Sequence, residues 1–316
     1  MGTENVMSQA QAAPGKRPVA RRPRRRGRLG ERIIELVLAG CGYVSVAVLG
    51  GIFVLLLWQG AKAFQEVPLW EFLTSIRWDP TSPEGAKYGI LSMVASTGLV
   101  TLGAMAITVP VGIGVAAYLS EFAHPRVREV LKPAVEMLAS IPSVVVGFIG
   151  IVVVGPAIAR IFGLPHGLTA LNGAVLLAIM ALPTAVSLSE DALRSVPRDH
   201  RLASLALGAN PWETLVKVTL PAAVPGITAA MMLAMGRAIG ETMTVLMATG
   251  NALAFPHGLL SPVRTMTATI AIELGEVPHG TAHYFALFAV GFALFVLSFA
   301  VNWAAEWAIR RGGMRR

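Results

Sequence analysis

The stretch "YGILSMVASTGLVTLGAMAITVPVGIGVAAYLS", residues 88–120, contains 33 consecutive residues without a charge. A membrane-spanning helix needs roughly 20 predominantly apolar residues, so this segment is long enough to cross a bilayer with some tilt or with a kink at Pro110. The composition of the whole chain agrees, because 54% of its 316 residues are hydrophobic and only 14% are charged. The sequence therefore predicts a membrane protein rather than a soluble one.

Five further apolar segments are each long enough to cross a bilayer as a helix; they cover residues 36–58, 137–159, 167–189, 218–250 and 284–305. The first is too long for the core of a signal peptide and lacks a small-residue cleavage pattern after it, so we expect it to be retained. The sequence thus predicts an all-α polytopic membrane protein with six transmembrane helices. We place the transmembrane domain at 33–310, between a basic tail at 1–32, which we expect to be disordered, and a short tail at 311–316.

The distribution of lysine and arginine predicts the orientation of the spans, because basic loop residues favour the cytoplasmic side. With six spans, both chain ends lie on the same side of the membrane. That side carries twenty lysines and arginines, including the run "KRPVARRPRRRGR" at 16–28, whereas the opposite side carries five. We therefore expect a protein of the plasma (inner) membrane with both termini cytoplasmic. This clustering also explains the pI near 10.2 without a nucleic-acid partner.

The stretch "MGRAIGETM", residues 235–243, places two opposite charges four residues apart inside the fifth apolar segment. On a continuous helix Arg237, Gly240, Glu241 and Thr244 share one face. An arginine at the bilayer centre costs about 2.5–3.5 kcal/mol on insertion scales, so we expect Glu241 to neutralise it in part. The pair fits either a structural ion pair that locks two helices or the polar wall of a solute path. The second is favoured because ionisable residues inside membranes are usually functional.

The predicted cytoplasmic loop at 190–221 has the pattern of two short helices around a turn. The first carries an apolar face and is ended by a glycine: Leu202, Leu205, Ala206 and Gly208. The second begins with an N-cap, a proline and a capping glutamate, exposes an apolar face, and ends at a second proline: Asn210, Pro211, Glu213, Trp212, Leu215, Val216 and Pro221. A loop this short cannot form the core of a DNA-binding helix-turn-helix domain. It is either an amphipathic hairpin that rests on lipid or a docking surface for a cytoplasmic partner.

Three stretches of this sequence carry a resemblance to a known family. "RLASLALGANPWETLVKVTLP", residues 201–221, resembles the coupling loop of ABC importer permeases, usually written EAA-x3-G-x9-I-x-L-P, and the matching positions are Ala203, Gly208, Leu220 and Pro221. The departures are Leu202 at the usual glutamate, Ser204 at the second alanine and Val218 at the isoleucine. "IPSVVVGFIG" at 141–150 and "GRAIGETMTV" at 236–245 narrow the resemblance to phosphate-specific permeases. Met243 after the threonine indicates the C-type rather than the A-type subunit.

The resemblance implies a type I ABC importer permease fold and a subunit that is not an enzyme. It implies a second permease subunit (A-type), two ATPase subunits that use ATP and Mg, and an extracytoplasmic phosphate-binding protein, with no cofactor bound by this chain. We assign the substrate pathway to Arg237, Glu241, Thr244 and Gly240. We assign the ATPase-coupling loop to Ala203, Leu205, Gly208, Asn210, Trp212, Leu220 and Pro221.

Other functions are less well supported by the residues. A sulfate or molybdate permease shares the loop but usually lacks the "RAIGET" arrangement, and a secondary carrier or channel needs no docking hairpin. A membrane-embedded enzyme is expected to show clusters of ionisable residues in several spans. In this sequence only the fifth span shows an interior pair of ionisable residues. There is no Walker-type phosphate loop. His279 and His283 are four residues apart, but Gly280 and the membrane edge argue against a metal site.

Overall fold

The computed structural model describes residues 28–83 and 85–313, and these are predominantly helical. The chain divides into two compact units, Met1–Ile52 and Phe53–Arg316. Most of the predicted basic tail at 1–32, and residues 314–316 of the predicted C-terminal tail, lie outside the described residues. The first helix already begins at Arg28, so the part of this tail that the structure describes is helical.

Short strands, α-helices and wider π-helical turns follow one another along the described part of the chain. The α-helices are α1 (Arg28–Ala63), α2 (Leu69–Thr74), α3 (Leu91–Ala117), α4 (Pro125–Leu138), α5 (Ser143–Ile149), α6 (Gly155–Phe162), α7 (Ala170–Arg194), α8 (Arg198–Ala206), α9 (Pro211–Thr214), α10 (Leu220–Gly240), α11 (Met243–Ala248), α12 (Met266–Glu273) and α13 (Ala282–Gly313). Strands β1 (Trp78–Asp79) and β2 (Lys87–Tyr88) form an antiparallel pair. The π-helical turns are Tyr118–Phe122, Gly150–Val154 and Leu215–Thr219.

Six helical stretches within the described residues are long and apolar enough to cross a membrane, as the sequence predicts. They are Ile34–Ala63, Leu91–Phe122, Ser143–Phe162, Ala170–Arg194, Pro211–Gly240 and Ala282–Ala304. Each overlaps its predicted segment, and the prediction of a six-span, all-α membrane fold is confirmed. The third begins later than predicted because α4 forms a separate helix before it. The fifth, predicted at 218–250, begins earlier and ends earlier.

Helices α3 and α7 pack closely because small residues line their contact. Ala104 and Ala174 are fully buried. A Cβ added at Gly103 would lie 3.0 Å from the Cβ of Ala174, and one at Gly112 would lie 3.1 Å from that of Ala185. Between membrane helices, where lipid is as apolar as leucine, such small residues allow the backbone approach that gives dispersion contact. This pair of helices forms the core on which the functional regions are built.

Helix α1 differs along its length. In the first unit its apolar side chains are exposed, among them Leu36, Tyr43 and Val46, as expected for a helix surrounded by hydrocarbon. In the second unit the ring of Phe53 lies 5.6 Å from that of Phe292 in α13. Further along, a Cβ at Gly60 would come within 3.0 Å of the Ala289 backbone, so α1 and α13 approach closely there.

Pro221 does not end the second hairpin helix, which corrects the sequence-based prediction. The chain stays helical from Pro211 to Gly240, and Pro221 lies in the first turn of α10, directly after the π-helical turn Leu215–Thr219. Proline has no amide hydrogen and its ring clashes with the carbonyl four residues before it. The wider π-helical turn moves that carbonyl away, so the helix continues through the proline.

Candidate functional site

The fifth span is broken at the charged residues. Helix α10 ends at Gly240, Glu241 is extended with φ −68° and ψ 132°, and α11 begins at Met243. The prediction of one continuous helix through residue 250 is therefore wrong. Gly236 and Gly240 lower the helix propensity before the break, and threonines follow it. Broken helices at membrane depth are tolerated where protein or a polar cavity satisfies the freed backbone groups.

The carbonyl and carboxylate of Glu241 find partners on other parts of the chain. Thr267 Oγ1 donates to the Glu241 carbonyl at 2.9 Å. The backbone N–H of Thr244 and its hydroxyl each lie 3.4 Å from Glu241 Oε1. The carboxylate therefore faces the first turn of α11, where the free amide groups favour negative charge. The expected i,i+4 pairing with Arg237 does not form, because Glu241 has left the helix that would create this spacing.

Arg237 occupies the last turn of α10 and is exposed in the chain. It has no hydrogen bond or ion pair with any described residue. The negative end of the α10 dipole stabilises a cation at this position. The described residues therefore leave the five donors of the guanidinium available to a group outside this chain. Gly240, three residues later, is also exposed, and apart from its own helix no described residue lies within 4 Å of where its Cβ would be.

A group of threonines surrounds the break, and most of it was missed by the sequence analysis. Thr244 is fully buried and lies 3.1 Å from both the Ser143 carbonyl and the Met180 sulfur. Thr267 also contacts Thr265 at 3.0 Å, and the Met266 N–H donates to Thr97 Oγ1 at 3.1 Å. The alternation of threonines in "RTMTATIAIE", residues 264–273, was the available signal. Of the four predicted pathway residues, the structure brings Glu241 and Thr244 into contact.

The stretch "IPSVVVGFIG" packs against the segment after the break. A Cβ at Gly147 would lie 2.9 Å from the sulfur of Met247, and one at Gly150 would lie 2.3 Å from Leu176. The side-chain amide of Asn172 donates to the Gly150 carbonyl at 3.0 Å and to the Ala248 carbonyl at 3.2 Å. Gly147 lets α5 approach α11, and Gly150 lets the π-helical turn after α5 approach Leu176 of α7. Asn172 satisfies backbone groups that the irregular helices leave free.

The hairpin between the fourth and fifth spans has the predicted form. Helix α8 ends before Gly208, which has φ +89°, and the side chain of Asn210 accepts from the Glu213 N–H at 2.8 Å while Glu213 accepts from the Asn210 N–H at 3.0 Å. This capping box starts α9 as expected. The hydroxyls of Ser204 and Thr214 lie 3.0 Å apart and join the two helices.

The apolar face of this hairpin is largely exposed, and the ring of Trp212 also lies 6.4 Å from that of Phe122. Its exposed side chains are Leu202, Leu205, Leu207, Trp212 and Val216. Ala203 and Asn210 are exposed beside them, whereas Leu220 and Pro221 are half-buried at the start of α10. Contiguous exposed apolar patches of this kind mark protein or membrane contacts. The predicted coupling residues therefore fall into two groups. Most are exposed on the hairpin, and Leu220 and Pro221 are half-buried in the fifth span.

A second charged site lies at the end of α7 and was not predicted. The Glu190 side chain is fully buried and forms ion pairs with Arg128 and Lys132 of α4. The Lys132 Nζ lies 2.6 Å from the carboxylate. Arg194 lies 3.7 Å away on the same helix. Lys132 also contacts Asp191 at 2.8 Å. No local pattern signals this cluster, because α4 lies about sixty residues from Glu190 along the chain.

A third cluster joins the β1–β2 hairpin to α12 and α13. Glu273 Oε2 accepts from Trp78 Nε1 at 2.9 Å and lies 2.8 Å from His283 Nε2, while Glu273 Oε1 accepts from Arg264 at 2.7 Å. Burial raises the pKa of Glu273, but the contacts with His283, Trp78 and Arg264 outweigh it and hold the pKa below 4.5. His283 thus pairs with a carboxylate, while the ring of His279 makes an edge-to-face contact with that of Tyr284.

Comparisons with known sequences give one consistent family. Residues 108–312 match the family described as binding-protein-dependent transport system inner membrane component. The phosphate transport system permease protein PstC of Mesorhizobium japonicum is 33% identical over 309 residues, which cover 91% of this chain and 92% of that protein. PstC 2 of Mycobacterium tuberculosis is 32% identical over 97% of each chain. The probable ABC transporter permease protein YqgH of Bacillus subtilis is 36% identical over 84% of this chain and 86% of its own length.

Solved structures of importer permeases share the fold. A chain of a bacterial ABC transporter that imports the acidic polysaccharide alginate superposes with a TM-score of 0.59 at 17% identity, over 90% of this chain and 99% of that one. A chain of the MetNI methionine ABC transporter in an inward-facing conformation superposes with a TM-score of 0.53 at 21% identity, over 71% of this chain and 94% of that one. These neighbours confirm the type I importer permease fold that the sequence predicts.

Proposed function

This chain belongs to the family of binding-protein-dependent transport system inner membrane components, non-catalytic permease subunits of ABC importers, and we propose that it is the C-type permease subunit of a phosphate importer. Relatives named as phosphate permeases match it over nearly its whole length. The fold and the six spans of a multi-pass membrane protein support the same proposal.

The observation that carries the phosphate assignment is Arg237 beside the broken helix, a cation that pairs with no residue that the structure describes. A guanidinium presents a planar fork of donors that suits phosphate oxygens, and it does not deprotonate. Because Glu241 turns toward α11, it leaves these donors free. A passing phosphate thus meets a positive charge and open space next to Gly240.

Release of the anion requires that this contact stay weak. A transport site must bind well enough to admit the ion and weakly enough to let it leave. One guanidinium, with the negative charge of Glu241 in the same short segment, meets that requirement better than a cluster of cations. We propose that Arg237, Gly240, Glu241 and Thr244 belong to the pathway, with Thr244 acting mainly through the position of Glu241.

The proposed assembly contains an A-type permease subunit, two ATPase subunits and an extracytoplasmic phosphate-binding protein. ATP and Mg are used by the ATPase subunits, and this chain binds no cofactor. Both termini are cytoplasmic in the inner membrane, as the basic loops favour. The exposed patch of Leu205, Trp212 and their neighbours is then on the cytoplasmic side, where an ATPase subunit docks around Gly208.

The proposal is tested by anion uptake in cells that express the full set of subunits with or without this chain. Labelled phosphate uptake is expected to require the chain, and excess unlabelled sulfate or molybdate is expected to leave it unchanged. Uptake of sulfate or molybdate that requires the chain, with phosphate uptake that does not, would overturn the phosphate assignment. Recovery of an ATPase subunit with the tagged chain tests the ABC assembly separately.

A further inference from the structure

Arg201 joins the hairpin to the ends of two membrane spans. This residue lies in α8, and its side chain is 20% exposed. Its Nη2 donates to the Leu193 carbonyl at the end of α7 at 2.7 Å. The same nitrogen lies 2.8 Å from the carboxylate of Glu121, in the π-helical turn that follows α3. One guanidinium therefore connects α8 to the second and fourth spans.

The environment makes this connection stronger than a surface ion pair. Glu121 is only 15% exposed, so both charges are largely removed from water and screening is reduced. The Leu193 carbonyl also accepts from the Val196 N–H at 3.3 Å, and the Ser120 hydroxyl lies 3.3 Å from Glu121 Oε1. Arg201 is the cation that joins these two groups, and moving it would leave the Glu121 carboxylate without its ion pair.

The hairpin is also held together as one body. The Ser204–Thr214 contact joins α8 to the residues before α10. The ring of Trp212 lies 6.4 Å from that of Phe122, the neighbour of Glu121. These contacts join the exposed patch to the ends of the second and fourth spans.

Helix α7 continues this connection toward the broken span. Its Met180 sulfur contacts the Thr244 hydroxyl at 3.1 Å, and Thr244 contacts Glu241. The route from the hairpin to the break thus consists of packed side chains and the part of α7 from Leu193 back to Met180, which includes Pro183. Such a route supports coupling when both ends favour different arrangements of the same element.

We infer that Arg201, through Glu121 and the Leu193 carbonyl, is a positioning residue that transmits ATPase movement at the hairpin to the membrane spans. The inference rests on the proposed function, because it requires an ATPase subunit on the exposed patch. Arg201 itself does not touch the anion or the nucleotide. Its removal is expected to uncouple hydrolysis from transport while the ATPase subunit stays bound.

The test uses the complete importer in lipid nanodiscs with phosphate-loaded binding protein. The measurements are the stimulation of ATP hydrolysis by that protein and the amount of ATPase subunit recovered with the complex. Arg201→Gln is expected to keep the recovery and to lose about fivefold or more of the stimulation. Arg198→Gln is the matched control, because Arg198 lies in the same helix and is exposed; its stimulation is expected to equal that of the unmodified complex.

The ion pair is tested by a double-mutant cycle. Glu121→Gln is expected to lower stimulation in the same direction, and the double variant is expected to lose no more than Arg201→Gln alone, because the two residues act as a unit. Normal stimulation in Arg201→Gln, an equal loss in Arg198→Gln, loss of ATPase recovery, or multiplying losses in the double variant would each overturn the inference. An unmodified complex that phosphate-loaded binding protein fails to stimulate would instead overturn the proposed function.

Discussion

Two charged sites near the ends of neighbouring spans are treated in opposite ways by this chain. At the end of α7 the Glu190 carboxylate is fully buried, and three cations from its own chain surround it. At the end of α10 Arg237 is exposed, and no described residue of its own chain pairs with it. Both charges are costly in an apolar surrounding, but among the residues that the structure describes only the first has compensating partners.

The difference indicates what each charge is for. A charge that is fully paired within the chain holds structural elements together. The Glu190 carboxylate holds α4 against α7 in this way, so its removal is expected to destabilise the fold. A charge that the chain leaves open is retained at a cost in stability, so its partner is external. A second pair of regions differs in the same way. The carboxylate of Glu273 has its partners within the chain, whereas the apolar side chains of the hairpin are exposed.

The largest effect on transport is expected for Arg237→Gln. Loss of a forked, charge-assisted contact of about 3 kcal/mol corresponds to about 100-fold lower phosphate uptake. Assembly is expected to be unchanged, because no described residue loses a partner. The measurement is initial uptake of labelled phosphate, with recovery of the ATPase subunit as the control. A variant that transports normally would remove Arg237 from the pathway, and one that fails to assemble would make it a structural residue.

Glu190→Gln tests the saturated side of the comparison. Removing the charge leaves three cations facing a neutral group, and breaking a buried pair in this way costs about 3–5 kcal/mol. We expect a clearly lower unfolding midpoint in detergent and lower membrane abundance. Asp191→Asn is the matched control, since that carboxylate is 60% exposed and its pair with Lys132 is worth at most about 1 kcal/mol. Equal stability of the two variants would show that the cluster does not support the fold.

Gly208→Val tests the open hairpin surface. At φ +89° a β-branched residue is strained by roughly 1–2 kcal/mol, and the space around the glycine is otherwise empty. The strain shifts Leu205 and Trp212 relative to each other, so we expect severalfold lower ATPase recovery and lower uptake at normal membrane levels. Gly208→Asn, which tolerates this backbone region better, is expected to keep most of both. If the two variants behave alike, backbone strain is not the cause.

The smallest effect is expected from the pH dependence of Glu273. Its pKa in the folded protein lies below 4.5, so the carboxylate contributes stability that is present above pH 4.5 and is lost as the pH falls through the lowered pKa. Unfolding midpoints measured from pH 6 downward are expected to fall more steeply for the unmodified chain than for Glu273→Gln. Glu276→Gln, at an exposed position of the following turn, is the control. Parallel curves for all three would show that this cluster adds nothing to acid stability.

Features that depend on interactions between residues close in the sequence were predicted correctly, whereas features that depend on contacts between distant segments were not. The hairpin was predicted residue by residue up to Pro221, because caps, a helix-ending glycine and an apolar face act within a few residues. The prediction that Glu241 pairs with Arg237 was wrong. Thr267 lies on a separate helix, and the contact with the first turn of α11 forms because the span breaks at Glu241. The Glu190 cluster was missed because it depends on α4 and α7 meeting.

The sequence by itself determined the membrane class, the six spans and the hairpin, since hydrophobic length and local capping do not depend on distant residues. The resemblance of three short motifs also led to the family. Only the tertiary structure decided where the fifth span breaks, which charges are saturated, and which stay open. A helix ends inside a membrane only where other elements supply hydrogen-bond partners for its freed backbone. At Glu241 that partner is a threonine 26 positions along the chain, on another helix.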